Sequence, residues 1–120
     1  MTRLALVVAT WYAAQYVGGP LYCGGTYAPD TSPWVAVDVS DYTSGRVTCG
    51  DWLRISDGDT VLVARAMDAG YLNRYYVEDY GPGLRIGVDV PRHLWPWGEA
   101  MSRVVSVENV TKGLERRLTQ

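Results

Sequence analysis

Two aspartates stand where carboxyl groups could perform acid–base chemistry. Asp68 directly follows the strand-like run TVLVARAM at 60–67, and Asp89 lies within a short run at 87–90. A pair of carboxyl groups can cleave a glycosidic bond when one donates a proton and the other, ionised, acts as base or stabiliser. Crowding raises the pKa of one of them and so prepares the acid. The commoner alternative is that each aspartate caps a turn by accepting backbone N–H bonds.

The aromatic residues form a second group with binding chemistry. The chain has five Trp, nine Tyr and no Phe, so every ring also carries a polar group and can face both an apolar partner and water. Such rings stack on sugars and equally anchor protein interfaces, unless they fill the core or cover its ends. The candidate binding residues are Trp11, Tyr12, Trp34 and Asp38 near the first two strands, and the loop tyrosines Tyr71, Tyr75, Tyr76 and Tyr80.

The charge of the chain argues against one class of partner. The net charge is -2, whereas nucleic-acid binding draws its affinity from a positive surface. No apolar run approaches the roughly 20 residues of a membrane-spanning helix. The apolar run at 4–9 is shorter than the hydrophobic segment of a signal peptide, and we assign it to the first strand. We therefore expect neither nucleic-acid binding nor membrane insertion, and recognise no signal peptide.

The two cysteines, Cys23 and Cys49, lie far apart in the sequence and belong to no CxxC pair. Because no cluster of His or Cys accompanies them, they do not indicate a zinc site, and no residue pattern calls for a cofactor. A disulfide would suit an oxidising compartment, whereas two buried thiols would suit the cytosol. Of these two states we favour the disulfide.

The elements that would position these residues are short strands. β-Branched and aromatic runs predict strands at 4–12, 34–39, 52–56, 60–67, 87–90 and 103–110. Asp57-Gly58 predicts a hairpin tip, and 91–97 a single helical turn. Glycine and proline predict a long loop at 13–33, and a second long loop follows at 69–86. The pattern indicates one all-β domain over 1–110, a barrel or a sandwich, followed by a tail at 111–120 with helical spacing.

Five short motifs occur in a characteristic order and spacing: ATWY at 9–12, YCGG at 22–25, VAV to TCGD over 35–51, MDAG at 67–70 and VDVP at 88–91. Over roughly residues 5–110 they resemble the RlpA-like double-psi β-barrel group, which includes expansin first domains and barwin. The resemblance implies a six-stranded double-psi β-barrel with a groove across one face, where Asp68 and Asp89 approach one another. Members of the group bind or cleave polysaccharides, and some bind proteins.

The departures from the group weaken the expectation of catalysis. RlpA-type enzymes carry a histidine on the second strand, where this chain has Asp38, and expansins carry His-Phe where it has Gly87-Val88. The resemblance therefore implies a polysaccharide- or peptidoglycan-binding module more than a hydrolase. Two alternatives stay open. One is a lytic glycan-cleaving enzyme that uses Asp68 and Asp89. The other is a structural subunit, for example of a virion, with contacts through loop 71–80 and tail 111–120. The expected partner is a glycan or a protein surface, outside the cell, at its envelope or in a virion.

Overall fold

Six β-strands form a single closed ring in the computed structural model, which describes residues 2–12, 20–26 and 33–113. The strands are β1 (Thr2–Tyr12), β2 (Trp34–Asp38), β3 (Trp52–Ser56), β4 (Val61–Gly70), β5 (Ile86–Pro91) and β6 (Ser102–Asn109). The helical elements include α1 (Val39–Thr43) and 3-10 turns at Leu72–Arg74, Glu78–Tyr80 and Arg92–Leu94, and residues 111–113 after β6 are also helical. The predicted all-β class is confirmed. In the described part of the chain, no helix is long and apolar enough to cross a membrane.

The order of strands around the ring is β1-β5-β2-β4-β3-β6. The β1/β5 and β2/β4 pairs are parallel, and the other four pairs are antiparallel. Exchanging β1, β2 and β3 for β4, β5 and β6 reproduces the same order with the same directions, so the sheet has a topological two-fold. The connections that follow β1 and β4 are therefore equivalent. Each of them passes one intervening strand.

Alternate residues of the strands fill the interior of the ring. Valine dominates, because its branched side chain fits the pleated surface of a strand. On β2, β3 and β5, which carry the longest buried runs, the core residues are Val35, Val37, Leu53, Ile55, Val88 and Val90. Their outward-facing neighbours are the residues available for a functional site.

Only β3 has the predicted limits at both ends, and two of the differences at other strand ends concern aspartates. The predicted second strand ends one residue early, because Asp38 accepts the backbone N–H of Ser40 and begins α1. The predicted fourth strand continues past Met67 to Gly70, so Asp68 lies within β4 rather than after it. Asp38 thus lies at the start of a helix, and Asp68 lies inside a strand and not in the loop after it.

The hairpin between β3 and β4 contains Asp57 and Gly58, as predicted, but its connection has four residues. Asp57 Oδ1 accepts the backbone N–H groups of Asp59 and Thr60 at 3.0 and 2.8 Å. Gly58 has a φ of 103°, a conformation that favours glycine. Residues 114–120 of the predicted tail lie outside the described residues.

Candidate functional site

Four residues form a row across the outer face of adjacent strands β1, β5, β2 and β4. Thr10 pairs with Asp89, Asp89 pairs with Ala36, and Ala36 pairs with Asp68. Directly paired residues project from the same side of a sheet, and the flanking residues of β2 and β5 belong to the core. Two strand spacings separate the Cα atoms of Asp68 and Asp89 by about 10 Å. Only the methyl group of Ala36 stands between them. We call this set the polar row.

A β-bulge places Asp68 in the polar row. Val35 pairs with Ala66 and the next residue, Ala36, pairs with Asp68, so Met67 is an extra residue on β4. Without it, strict alternation would direct Asp68 into the core, on the side where Ala66 is fully buried. Bulges re-aim side chains in this way and occur often beside active sites.

Asp89 is the most perturbed carboxyl group of the row. Burial, and to a lesser extent the nearby charge of Asp68, raise its pKa to about 6. The Thr10 hydroxyl opposes this shift by donating a hydrogen bond to Asp89 Oδ1 at 3.0 Å. Because Oδ1 accepts this bond, Oδ2 is the oxygen left to carry the proton. Asp89 can therefore donate a proton or a hydrogen bond close to neutral pH.

Two stacked tyrosines hold Asp68. Its Oδ1 accepts the backbone N–H of Tyr22 at 3.1 Å, and its carbonyl accepts the hydroxyl of Tyr42 at 2.9 Å. The two rings stack with centroids 4.8 Å apart, and the Tyr22 ring is exposed. Burial raises the pKa of the Tyr42 phenol, which therefore keeps its proton and remains a donor. An exposed aromatic surface thus stands beside the carboxyl group of Asp68.

A disulfide fixes the segment that carries Tyr22. Cys23 and Cys49 are bonded, with Cα atoms 5.5 Å apart. The N–H of Cys23 donates to the carbonyl of Met67, the bulge residue, at 2.9 Å, and the N–H of Gly50 donates to the carbonyl of Ala66 at 2.9 Å. Loop 20–26 and the turn before β3 are therefore both attached to β4 and to each other.

A second row, the aromatic row, lies one step along the strands from the polar row. Trp34 and Trp52 each pair with Arg65, from opposite sides, and so share one face of the sheet with it. Tyr12 lies on the same face of β1, two residues after Thr10. The guanidinium carbon of Arg65 lies 5.6 Å from the centre of the Trp52 ring. All four side chains of the aromatic row are half-buried, so each retains some surface for contact.

Two other predicted binding residues lie outside both rows. Asp38 is buried, and its two oxygens accept hydrogen bonds from Ser40 and, at 2.8 Å, from the N–H of Asn73. Burial by itself would raise the pKa of Asp38, but these hydrogen bonds outweigh it and lower the pKa. Asp38 thus anchors the loop after β4. Trp11 packs against the core, with the Arg92 guanidinium 4.9 Å from its ring centre.

The tyrosines of loop 71–80 form a separate exposed group. Tyr71, Tyr75 and Tyr76 have 59%, 61% and 47% of their surface exposed. Arginines stack on two of them: Arg74 of the same loop on Tyr71, and Arg85, directly before β5, on Tyr76. Tyr80, the least exposed of the four at 38%, accepts a hydrogen bond from the hydroxyl of Ser102 at 3.2 Å. The loop is therefore ordered while it still presents aromatic rings to solvent.

The structure adds five residues to the candidate site that the sequence did not single out: Thr10, Tyr22, Tyr42, Trp52 and Arg65. Thr10, Trp52 and Arg65 enter through strand register, and Tyr22 through the disulfide-linked loop. Tyr42 enters from α1 through its hydrogen bond to the carbonyl of Asp68. The ATWY and YCGG motifs contain Thr10 and Tyr22 and were the only local signal for them.

Neither metal-binding side chains nor similar proteins add a residue to the candidate site described above. Among the described residues, no group of three or more His, Cys, Asp or Glu side chains could hold a metal ion. No protein-family model matches the chain, and no curated protein is significantly similar to it. The polar row, the aromatic row and the residues around them are the features that indicate a function.

Proposed function

We propose that this protein is a polysaccharide- or peptidoglycan-binding module with an RlpA- or expansin-like double-psi β-barrel. The two-fold order of the strand ring supports the barrel, because that group is built on a pseudo-symmetric six-stranded barrel. The disulfide between Cys23 and Cys49 supports a place outside the cell or facing its envelope, since disulfides persist in oxidising compartments.

The observation that carries the proposal is the aromatic row lying directly beside the polar row. A sugar ring has apolar C–H faces and a hydroxyl-bearing edge. The rings of Trp34, Trp52 and Tyr12 can cover such a face. One step away, Asp89 and Thr10 offer a carboxyl group and a hydroxyl group to the edge. Binding sites combine apolar walls with a few placed polar groups in this way.

Co-sedimentation with insoluble peptidoglycan and with cellulose tests glycan binding. We expect wild-type protein to sediment with at least one of the two polymers. Trp34→Ala should weaken that binding by about tenfold or more, as the loss of a buried aromatic anchor does. Tyr75→Ala removes an aromatic ring from loop 71–80, outside both rows, and is the control. Equal binding by wild type and Trp34→Ala would contradict the proposed groove.

Glycan cleavage is a second candidate, favoured by the raised pKa of Asp89. In this scheme Asp89 protonates the leaving oxygen as the glycosidic bond breaks, and the carboxylate of Asp68 stabilises the positive charge that develops on the sugar. A water molecule then bonds to the anomeric carbon and gives a proton back to Asp89. Mass spectrometry of soluble products from peptidoglycan at about pH 5.5 tests it. Asp89→Asn should abolish product formation while leaving co-sedimentation intact. If wild-type protein binds and releases no products, the protein binds without cleaving.

Assembly is a third candidate, favoured by the exposed rings of Tyr71, Tyr75 and Tyr76. Exposed aromatic groups of this kind anchor protein interfaces at little cost in conformational entropy. Sedimentation velocity over a range of concentrations tests it. A structural subunit should self-associate, and Tyr75→Ala should weaken that association without affecting glycan binding. A monomer at every concentration would remove self-assembly from consideration.

A further inference from the structure

Arg65 places a positive charge inside the aromatic row. Its Nε donates to the carbonyl of Gly50 at 3.2 Å, and its guanidinium carbon lies 5.6 Å from the Trp52 ring centre. A side chain at position 50 would bring a Cβ to 2.9 Å from Arg65 Nη2, so glycine leaves the space that the guanidinium occupies. The guanidinium is therefore held in place by neutral groups.

Arg65 also differs from most other arginines in having no acidic partner. Among the described residues, a carboxylate lies 3.0 to 3.8 Å from each of Arg46, Arg54, Arg92 and Arg103, and none lies within salt-bridge distance of Arg65. Within the same part of the chain, Nε donates its only side-chain hydrogen bond, and the two Nη groups donate none. A guanidinium presents paired donors that match the geometry of a carboxylate.

We propose that Arg65 binds a carboxylate of the glycan, so that the groove selects acidic polysaccharides such as polyuronates. This inference rests on the proposed glycan binding and names its substrate class. The rings of Trp34 and Trp52 flank Arg65 and would hold the sugar at its level. The polar row, about 7 Å further along the strands, carries Asp68 and Asp89. Repulsion from these two groups leaves the Arg65 side as the place for the ligand's negative charge.

Affinity for polygalacturonate and for its fully methyl-esterified form tests this inference, because the two polymers share one sugar backbone and differ in whether the carboxyl group is ionised or carries a neutral methyl ester. Isothermal titration should show that wild-type protein binds the acidic form at least about tenfold more tightly, as charge-assisted hydrogen bonds imply. Arg65→Gln should remove this preference, so that the variant binds the two polymers with equal affinity. Arg54→Gln is the matched control: Arg54 lies on the same face of β3 but pairs with Glu108, and its loss should leave the preference intact.

The outcomes separate the inference from the function on which it rests. Equal binding of both polymers by wild-type protein, or an undiminished preference in Arg65→Gln, would overturn the role of Arg65 and leave glycan binding standing. If the protein binds neither form of polygalacturonate and also binds neither peptidoglycan nor cellulose, the proposed function itself is overturned. If circular dichroism shows that Arg65→Gln is unfolded, Arg65→Lys serves instead. It keeps the charge without the planar pair of donors, and an undiminished preference in it would equally overturn the inference.

Discussion

Replacing Asp89 by asparagine should make the protein more stable at neutral pH. The folded-state pKa of Asp89 is about 6, against 3.8 for an unperturbed aspartate. The folded protein therefore binds this proton more tightly than the unfolded chain does. The protonated carboxyl group therefore stabilises the folded state. This contribution is complete below about pH 4 and is lost as the pH rises through about 6. The difference between the two pKa values corresponds to about 3 kcal/mol of unfolding free energy.

Asparagine removes the titration while it keeps the shape of the side chain. Its amide oxygen can still accept the hydrogen bond that Thr10 donates to Asp89 Oδ1 at 3.0 Å. At pH 7.5 the variant is no longer burdened by a buried charge, so we expect a gain of up to about 3 kcal/mol. For a domain of this size that gain corresponds to a rise in Tm on the order of 10 °C. The gain should shrink towards zero near pH 4, where Asp89 is protonated in wild-type protein.

Urea denaturation of both proteins at several pH values between 4 and 8 measures this difference. The pKa values of Asp38 and Asp57 are lowered by hydrogen bonds from backbone N–H groups. The stability that these two carboxylates contribute is therefore lost as the pH falls. Because that effect is common to both proteins, it cancels in the difference. Asp79→Asn, at an exposed site, is the control and should change stability by less than about 0.5 kcal/mol at any pH.

Two results would refute this reasoning. A less stable Asp89→Asn at pH 7.5 would mean that the ionised carboxylate is stabilised by its surroundings rather than strained by burial. A gain of equal size at pH 4.5 and pH 7.5 would mean that packing, not charge, separates the two proteins. Either result would also remove the physical basis for Asp89 as a proton donor in glycan cleavage.

Three further perturbations follow from contacts around the site. Thr10→Val removes the hydroxyl that lowers the pKa of Asp89, so carboxyl-carbon NMR should find that pKa above its wild-type value; a fall would contradict the assignment. Gly87→Ala would bring a Cβ to 2.6–2.9 Å from the Val7 side chain and should cost about 1–3 kcal/mol. In a double-mutant cycle, Val7→Gly removes all three of these atoms and should make Gly87→Ala less costly than it is in wild-type protein; an unchanged cost would exclude the clash. Cys23→Ser opens a loop with a sequence separation of 26 and should cost about 3.5 kcal/mol in urea denaturation; a loss below about 1 kcal/mol would show that the bridge constrains little.

The strands could be predicted from the sequence because their signals are local. The run at 52–56 is bounded by polar and turn-forming residues, and the structure gives β3 the same limits. The end of β4 could not be predicted, because the chain continues past Met67 as a bulge whose partner, β2, lies some thirty residues earlier. The alternation of apolar and polar residues along β4 does not show that its pairing with β2 contains an additional residue.

The sequence indicated the carboxyl groups of the candidate site but not their surroundings. Asp68 directly follows one strand-like run and Asp89 lies within another, which is where carboxyl groups from neighbouring strands can meet. The position of Arg65 between Trp34 and Trp52 depends on the register of three strands, which no local pattern determines. The same holds for Asp38, whose carboxylate accepts backbone hydrogen bonds that begin one helix and hold one loop.

The site arises where the sequence departs from the two-fold of the strand ring. The register makes Asp89 equivalent to Ala36, and Tyr12 equivalent to Gly70. A carboxyl group on one side of the two-fold thus pairs with a methyl group on the other, and Ala36 itself is buried. On the side of Gly70, the absence of a side chain admits Leu72, which lies 3.2 Å from where a Cβ would be. The ring of Tyr12 therefore lies on one side, and the loop that follows β4 lies on the other. The backbone alone would give two equivalent faces, and the side chains make the two faces different.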